Sequence, residues 1–231
     1  MMLYLRTALF ILIFYPGSAL IVVTACLALI LPGRSIERLA RIWGLYHRWC
    51  ARAILGQHLK ITGDIVDGPG FYVFKHESMY ETIDTLVLFR RPVVIAKAEL
   101  LRIPFWGWIA ARQGLVGIKR DAGPKALRTV LASAKAAMAQ GRPLCFFPEG
   151  TRVLPGQRPP LKSGFYALYK LMNVPVIPVA VKTGHIVPRH GFRKYPGVAH
   201  YQVGAAIPPG LSRAEAEARV TDAINALNIP V

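Results

Sequence analysis

Acidic residues are scarce in this chain. Its 231 residues include 12 Asp and Glu against 29 Lys and Arg, which gives a formal net charge of +17 at pH 7. A surface with so few carboxylates is attractive to polyanions, namely nucleic acid, anionic lipid headgroups or phosphorylated substrates. We therefore expect the partner or substrate of this protein to carry negative charge.

Cysteine is also rare. Cys26, Cys50 and Cys145 lie far apart and form no metal-binding or redox pair, so the sequence predicts buried thiols in a reducing compartment. We see no set of metal ligands and expect neither a metal nor another cofactor. Internal repeats and low-complexity stretches are absent, and the length suits one sizeable domain rather than two.

A long apolar run occupies the first part of the chain. Thr7 to Leu31 is a stretch of 25 uncharged, mostly apolar residues, whereas a membrane helix needs about 20. The run is longer than the apolar region of a cleaved signal peptide, which has about 7–15 residues. Pro16-Gly17 divides it into halves too short to span separately. The sequence therefore predicts a membrane segment over 1–33, either one kinked spanning helix or a re-entrant hairpin.

Basic and aromatic residues follow this segment. Arg6 precedes the apolar run, whereas five arginines come soon after it: Arg34, Arg38, Arg41, Arg48 and Arg52. Such a bias predicts that the rest of the chain faces the cytoplasm, at the inner membrane if the protein is bacterial. Trp43, Tyr46 and Trp49 would then anchor the chain at the interface with anionic lipid. The alternative is a solvated helix face with its aromatic rings turned to the core.

Strand-like and helix-like patterns alternate along the remaining sequence. Strands are predicted at 71–74, 93–96, 115–118, 144–147, 176–181 and 199–203, and helices at 35–55, 78–89, 99–112, 124–140, 164–172 and 212–227. This alternation is typical of an α/β fold. We expect a single domain over 34–231 with a largely parallel sheet flanked by helices.

A histidine follows the first of these strands. His76 stands five residues before Glu81; a neutral imidazole can take a proton from an alcohol, and a carboxylate behind it fixes its tautomer. On a continuous helix the two side chains would point about 140° apart, so the pairing requires His76 to precede the helix. Asp84 is the nearest alternative acid. The pair also fits a histidine at a helix start with a solvated glutamate nearby.

Four short blocks, taken together, carry a resemblance. They are His76-Glu77-Ser78-Met79-Tyr80-Glu81, Gly114-Leu115-Val116-Gly117-Ile118-Lys119-Arg120, Phe147-Pro148-Glu149-Gly150-Thr151-Arg152 and Val174-Pro175-Val176-Ile177-Pro178-Val179. In this order and at these separations they resemble the motif blocks of the glycerolipid acyltransferases, and in particular the 1-acyl-glycerol-3-phosphate acyltransferases that make phosphatidic acid. The resemblance runs from about Phe71 to Val181. It implies an acyltransferase domain over 34–231, preceded by an element of two helices.

The resemblance also implies roles for individual residues. His76 would be the general base and Glu81 its orienting acid, at a position where the family usually has aspartate. Substrate-binding roles fall on Lys97, Arg120, Glu149, Gly150, Thr151 and Arg152. Among these, the two arginines would hold the phosphate of the acceptor, and the Glu149-Gly150 turn would bind the acceptor or stabilise the oxyanion.

Several functions remain open at this point. The first is a membrane-bound enzyme that moves a fatty acyl group from acyl-CoA or acyl-carrier protein to lysophosphatidate. The second is an acyltransferase with another acceptor, namely glycerol-3-phosphate, another lysophospholipid or a lyso-aminolipid. It stays open because Gly117 stands where the family usually has phenylalanine and Lys119 where it usually has aspartate. The third is a non-enzymatic membrane-tethered module that binds anionic lipid or nucleic acid through the basic loop 184–197. That reading leaves the four blocks unexplained, so we expect no nucleic acid partner.

Overall fold

A seven-stranded sheet forms the centre of the protein. The computed structural model describes residues 1–30, 34–118 and 123–228. The strands are β1 (Gln57–Thr62), β2 (Phe71–Phe74), β3 (Val93–Lys97), β4 (Val116–Ile118), β5 (Leu144–Phe146), β6 (Val176–Lys182) and β7 (Gly197–Val203). They lie side by side in the order β1-β7-β6-β2-β5-β3-β4. All neighbouring pairs are parallel except β6 and β7.

Helices connect and cover the strands. They are α1 (Met2–Ala28), α2 (Ser35–Cys50), which a π-helical turn (Ala51–Leu55) continues, α3 (Tyr80–Leu88), α4 (Trp106–Gln113), α5 (Gly123–Ala139), α6 (Gly164–Met172) and α7 (Arg213–Ile224). A 3₁₀ turn (Ala98–Arg102) precedes α4. The predicted α/β domain with a largely parallel sheet and flanking helices is therefore confirmed.

Strand β2 lies in the middle of the sheet and is buried on both faces. Phe71 and Val73 point into one apolar cluster, which includes Phe165 of α6. Tyr72 and Phe74 point into the cluster on the opposite face. Successive side chains of a strand alternate between faces, so helices on both sides are needed to cover this strand. The chain that leaves β2 therefore starts from a rigid position.

Strand β1 is the one strand of the described sheet that the sequence pattern does not predict. It lies at the sheet edge and most of its residues are half-buried or exposed. Its pairing is with β7, where Gln57 lies opposite Gly197. An edge strand without a continuous apolar face has no clear alternation, and its partner is distant in sequence. For both reasons the local sequence carried no strand signal.

The apolar run forms a single helix that continues through Pro16. Helix α1 extends from Met2 to Ala28, so the run does not fold back on itself. Instead α2 returns along α1: Trp43 Nε1 donates to Ser18 Oγ at 3.0 Å, and the Tyr46 hydroxyl donates to the carbonyl of Ile13 at 2.6 Å. The re-entrant hairpin considered for 1–33 is therefore not formed, and the helix that packs on α1 lies inside the range 34–231.

This packing changes the interpretation of the aromatic residues on α2. The rings of Trp43 and Tyr46 stack on Phe14 of α1, with centroids 6.4 and 6.0 Å apart. Trp49 keeps 56% of its surface exposed. Trp43 and Tyr46 are half-buried and join the helices, whereas Trp49 is exposed, so the anchoring of these rings at a lipid interface stays a prediction.

Helix α1 has the length and composition of a membrane-crossing helix. Among the described residues it is the one helix that meets both conditions. Only 17% of its most apolar 18-residue window is buried in the protein, which does not suit the core helix of a soluble domain. Two of the arginines after it have partners within the protein. Arg41 Nη1 donates to the carbonyl of Val87 at 3.3 Å, and Arg48 binds Asp84.

We predict that Gly17→Ala loosens the contact between α1 and α2. A Cβ atom at Gly17 would lie 2.3 Å from the hydroxyl oxygen of Tyr46, so α2 has to move. Overpacking of this kind typically costs about 1–3 kcal/mol. The thermal midpoint in detergent should fall. Gly164→Ala is the matched control, because it is also a helical glycine and a Cβ there meets nothing within 4 Å. Equal midpoints for the two variants would contradict the prediction.

Candidate active site

Four parallel strands bring their carboxyl ends to one edge of the sheet. These strands lie in the order β6, β2, β5 and β3. Lys97 is the last residue of β3, and Thr183, His76 and Glu149 come shortly after the ends of β6, β2 and β5. Ligands of open α/β sheets gather at such edges. Neighbouring strands lie about 4.8 Å apart, so the end of β3 is about 10 Å from that of β2. The predicted site residues on these strands therefore share one surface.

His76 and Glu81 are in hydrogen-bond contact. The Nδ1 atom of His76 lies 2.9 Å from Oε1 of Glu81. His76 precedes α3, as the pairing requires. Because a carboxylate accepts at this position, Nδ1 carries the proton and Nε2 keeps its lone pair. Nε2 makes no hydrogen bond to any residue in the described parts of the chain, and the His76 side chain is 18% exposed. A base with an accessible lone pair results.

Every partner of the Glu81 carboxylate is a donor. Oε1 also accepts the backbone N–H groups of Glu77 and Ser78, at 2.7 and 2.6 Å. Oε2 accepts the hydroxyls of Ser78 and Thr183, at 2.6 and 2.7 Å. Burial alone would raise the pKa of the Glu81 carboxyl, but the hydrogen bonds from His76, Ser78 and Thr183 outweigh it and lower the pKa. Glu81 is therefore a buried anion at neutral pH.

The sequence contains a signal for this arrangement that motif reading missed. Ser78 and Glu81 stand in the S-x-x-E pattern of a capping box. The Ser78 hydroxyl accepts the N–H of Tyr80 at 3.0 Å, while Glu81 reaches back to the N–H of Ser78. One carboxylate thus caps α3 and holds the imidazole. The alternative of a solvated glutamate is excluded, because the Glu81 side chain is 0% exposed.

The alternative acid, Asp84, faces away from the histidine. Its two carboxylate oxygens bind Nε and Nη2 of Arg48 on α2, the second at 3.0 Å. Asp84 is fully buried in this ion pair. It fixes α3 against α2, and Glu81 is the carboxylate that contacts His76.

Glu149 lies behind His76 and does not face open space. The carboxylate is buried, with Oε1 at 2.7 Å from Nζ of Lys75 and Oε2 accepting the N–H of His76 at 2.9 Å. The adjacent Gly150 has a left-handed φ of +65°, and its N–H donates to the carbonyl of Phe147 at 3.0 Å. In this geometry the Glu149 carboxylate binds Lys75 and the backbone of His76, and its contact with substrate stays a prediction. Lys75, which is fully buried, was missed by sequence reasoning.

The predicted cationic residues differ in their surroundings. Arg152 is half-buried beside the histidine, because the next N–H, that of Val153, donates to the carbonyl of His76 at 2.7 Å. Within the described ranges Arg152 has neither a hydrogen bond nor an ion pair. Lys97 is exposed at the end of β3. Arg120 lies outside the described residues.

Lys194, from the basic loop, is a second cation, near enough to Arg152 for the two charges to interact. Burial lowers the pKa of the Lys194 ammonium, and the charge of Arg152 lowers it further. Its backbone N–H donates to the hydroxyl of Thr7 at 3.2 Å, which fixes the loop to α1. Thr151, between Gly150 and Arg152, is half-buried. Two neighbouring cations without a carboxylate partner in the described chain are suited to an anion.

Comparison with known proteins identifies the family. Residues 57–182, more than half of the chain, match the family model described as Acyltransferase. The chain belongs to the acyltransferase family. It is 31% identical over 184 residues to a 1-acyl-sn-glycerol-3-phosphate acyltransferase of Pseudomonas aeruginosa, an alignment that covers 78% of this chain and 72% of the relative. The resemblance read from the four blocks is thereby confirmed.

Two further comparisons extend this result. A lyso-ornithine lipid O-acyltransferase of Rhodobacter capsulatus is 31% identical over 163 residues, which covers 66% of this chain and 57% of the relative. The crystal structure of the 1-acyl-sn-glycerophosphate acyltransferase PlsC of Thermotoga maritima superposes with a TM-score of 0.73. That match has 22% sequence identity and covers 97% of this chain and 96% of the other, so it supports the acyltransferase fold.

We predict that Glu81→Gln lowers the rate of acyl transfer by at least about 100-fold. The amide NH₂ of glutamine would either meet the N–H groups at the Oε1 position or require the two hydroxyls at the Oε2 position to accept instead of donate. In both cases the imidazolium would lose its counter-charge. Glu81→Asp keeps the charge and should retain part of the activity. Initial rates at saturating substrate provide the measurement. Glu217→Gln, on the outer side of α7, is the control and should match the unchanged enzyme. A Glu81→Gln variant as active as that control would refute the role of the carboxylate.

We also predict a pH dependence of stability from the same carboxylate. The pKa of Glu81 is lower in the folded protein than its ordinary value of 4.5. Its ionised form therefore stabilises the fold fully above about pH 4.5, and this contribution is lost as the pH falls through the folded-state pKa. The unfolding free energies of the original protein and Glu81→Gln should differ at pH 7 and converge in acid. A constant difference would argue against the assigned shift.

Proposed function

We propose that this acyltransferase moves a fatty acyl group from an acyl thioester to the free hydroxyl of 1-acyl-glycerol-3-phosphate, giving phosphatidic acid. One observation carries the proposal: the imidazole of His76 is held through Nδ1 by a buried carboxylate 2.9 Å away, and its Nε2 is left without a partner among the described residues. This is the arrangement of a general base for an alcohol.

The reaction needs only these groups for its proton transfers. Nε2 of His76 takes the proton of the acceptor hydroxyl while the hydroxyl oxygen attacks the thioester carbonyl. The tetrahedral intermediate then collapses, its carbon–sulfur bond breaks, and the leaving thiolate receives the proton from Nε2. Glu81 stabilises the imidazolium between the two transfers. Ester and free thiol are the products, and no covalent acyl-enzyme forms.

The cations along the sheet edge would hold the acceptor phosphate. Arg152 is the best placed, since its backbone adjoins the residue that binds the carbonyl of His76. Lys194 supplies a second charge beside it. A phosphate monoester can accept two parallel hydrogen bonds from a guanidinium. Lys97 lies at the end of β3. We keep it in the proposed binding set together with Gly150 and Thr151, and we keep Arg120 there on the resemblance alone.

The net charge of the chain supports an acidic acyl donor, and helix α1 supports a position at the membrane. Acyl-CoA and acyl-carrier protein are both acidic and both suit a chain of charge +17. Helix α1 would lie in the bilayer, with the sheet on the cytoplasmic side and the exposed arginines Arg34, Arg38 and Arg52 near anionic headgroups.

A lyso-aminolipid is the alternative acceptor that a specific observation favours. The relative from Rhodobacter capsulatus named a lyso-ornithine lipid O-acyltransferase has the same identity, 31%, as the relative from Pseudomonas aeruginosa, over a shorter alignment of 163 residues against 184. The departure at Gly117 is also structural. A Cβ there would lie 2.8 Å from Cδ1 of Leu101 and 3.0 Å from Cα of Ala98, so the phenylalanine expected from the resemblance does not fit this packing.

We predict that His76→Ala abolishes phosphatidate formation by membranes that contain this protein. Loss of a general base typically lowers the rate by about 10²–10⁴-fold. The assay supplies lysophosphatidate with a long-chain acyl thioester and measures phosphatidate and free thiol. His58→Ala, an exposed histidine on β1, is the matched control. Wild-type membranes that produce no phosphatidate, with expression verified, would refute the proposal.

We further predict that Arg152→Ala discriminates between acceptors. Removing a charge-assisted contact costs about 1.5–3 kcal/mol, so the KM for lysophosphatidate should rise about 10- to 100-fold. A lyso-ornithine lipid, which lacks the phosphate, should be affected little. Competition between the two lipids in the wild-type protein identifies the preferred acceptor. An equal effect of Arg152→Ala on both would remove Arg152 from the phosphate site.

A further inference from the structure

A fully buried lysine lies directly before the catalytic histidine. Lys75 is 0% exposed, and its Nζ donates to three acceptors from three separate segments: Oε1 of Glu149 at 2.7 Å, the carbonyl of Gln157 at 2.9 Å and Oδ1 of Asn225 at 2.9 Å. An ammonium group has three N–H donors. Each donor of Lys75 therefore has one acceptor.

Two asparagines after α7 complete this arrangement. Oδ1 of Asn228 accepts the N–H of Gly156 at 2.6 Å, and its Nδ2 donates to the carbonyl of Gln157 and to Oδ1 of Asn225, at 2.8 and 2.9 Å. Asn225 in turn donates through Nδ2 to the carbonyl of Thr221 at 2.7 Å. Both asparagines are buried. We call Lys75, Glu149, Gln157, Asn225 and Asn228 the Lys75 network.

The network ends on the backbone of His76. The second oxygen of Glu149, Oε2, accepts the N–H of His76 at 2.9 Å, and the carbonyl of His76 accepts the N–H of Val153 at 2.7 Å. Both backbone groups of the histidine are thus held by the segment 149–153. Lys75 fixes the rotamer of Glu149, and Asn225 and Asn228 fix the loop that follows.

The charges in this network depend on each other. Burial raises the pKa of the Glu149 carboxyl, and the charge of Lys75 opposes the rise. Removing one partner of a buried ion pair leaves an uncompensated charge, whereas replacing both by neutral groups avoids that penalty. A carboxylate without Lys75 would turn toward water or take up a proton. Either change would release the N–H of His76.

We propose that Lys75 and Asn225 are positioning residues for acyl transfer, which act on His76 through Glu149. The inference rests on the proposed function of His76 as base. It adds Lys75 and Asn225, neither of which belongs to the four blocks. Asn225 also lies beyond the family match at 57–182. Neither side chain has to contact substrate, because each is buried within the network.

The test compares Lys75→Met with the double variant Lys75→Met/Glu149→Gln. We expect Lys75→Met to lower kcat about 100-fold, since a displacement of about 1 Å in a catalytic group has that effect. The KM values should change less than about threefold, because substrate binding is not the step affected. The double variant should recover at least about tenfold in kcat, because the buried unpaired charge is gone and the glutamine carbonyl still accepts the His76 N–H.

Asn225→Ala provides an independent variant, and Glu215→Ala, on the helix that precedes Asn225, is its control. Glu215 pairs with Arg219 on the exposed side of α7, so its loss should leave kcat unchanged. Asn225→Ala should lower kcat with little change in KM. If Lys75→Met does not fold, the kcat values of Asn225→Ala and of the double variant still test the positioning role. An unchanged kcat in Asn225→Ala, or no recovery in the double variant, would overturn the proposal.

A second readout does not depend on turnover. Side-chain ¹H–¹⁵N spectra of the ¹⁵N-histidine-labelled protein in detergent report the Nδ1–H group of His76, assigned by its loss in His76→Gln. We expect this signal to shift or broaden in Lys75→Met and to return in the double variant. An unperturbed signal would contradict the positioning role, since a merely structural loss of folded protein changes its intensity and not its position. If the variants show the expected signals but the wild-type protein transfers no acyl group to lysophosphatidate, the proposed function alone would be refuted.

Discussion

The carboxylate of Glu81 is the group on which the geometry of the site depends. It is an anion without solvent contact, and such a charge is tolerated only where donors surround it. Here the donors come from the loop between β2 and α3 and from the residue that follows β6. The imidazole of His76 is one of them. The hydrogen bonds that orient this imidazole also join three elements of the fold, so neither can be changed without the other.

Much of the fold could be predicted from the sequence because its buried elements have local signatures. Strand β2 is apolar at every position, and the helix 164–172 has the same limits in the structure as in the prediction. Strand β1 lacked such a signature, since its burial arises from β7, which is distant in sequence. The course of the first helix was left open because Pro16 fits a break as well as a kink, and the contacts that decide come from Trp43 and Tyr46 on α2.

The site was predictable in part, for a related reason. The spacing of His76 and Glu81 is local and the resemblance gives it a meaning, so the pair could be named before its distance was known. Glu149 was predicted to bind substrate, but its carboxylate accepts a hydrogen bond from Nζ of Lys75. A lysine is almost never fully buried unless it is paired, and the asparagine that pairs with Lys75 stands 150 positions later. No local pattern indicates a contact over such a distance.

That separation between Lys75 and Asn225 also concerns the order in which a ribosome produces the chain. Helix α1 emerges first and is available to the bilayer while the rest is still being synthesised. The β1–β7 pairing and the partners of Lys75 require the chain as far as Asn228. Because domains assemble as their residues become available, the contacts that hold the backbone of His76 are completed only after nearly all of the described chain has been made.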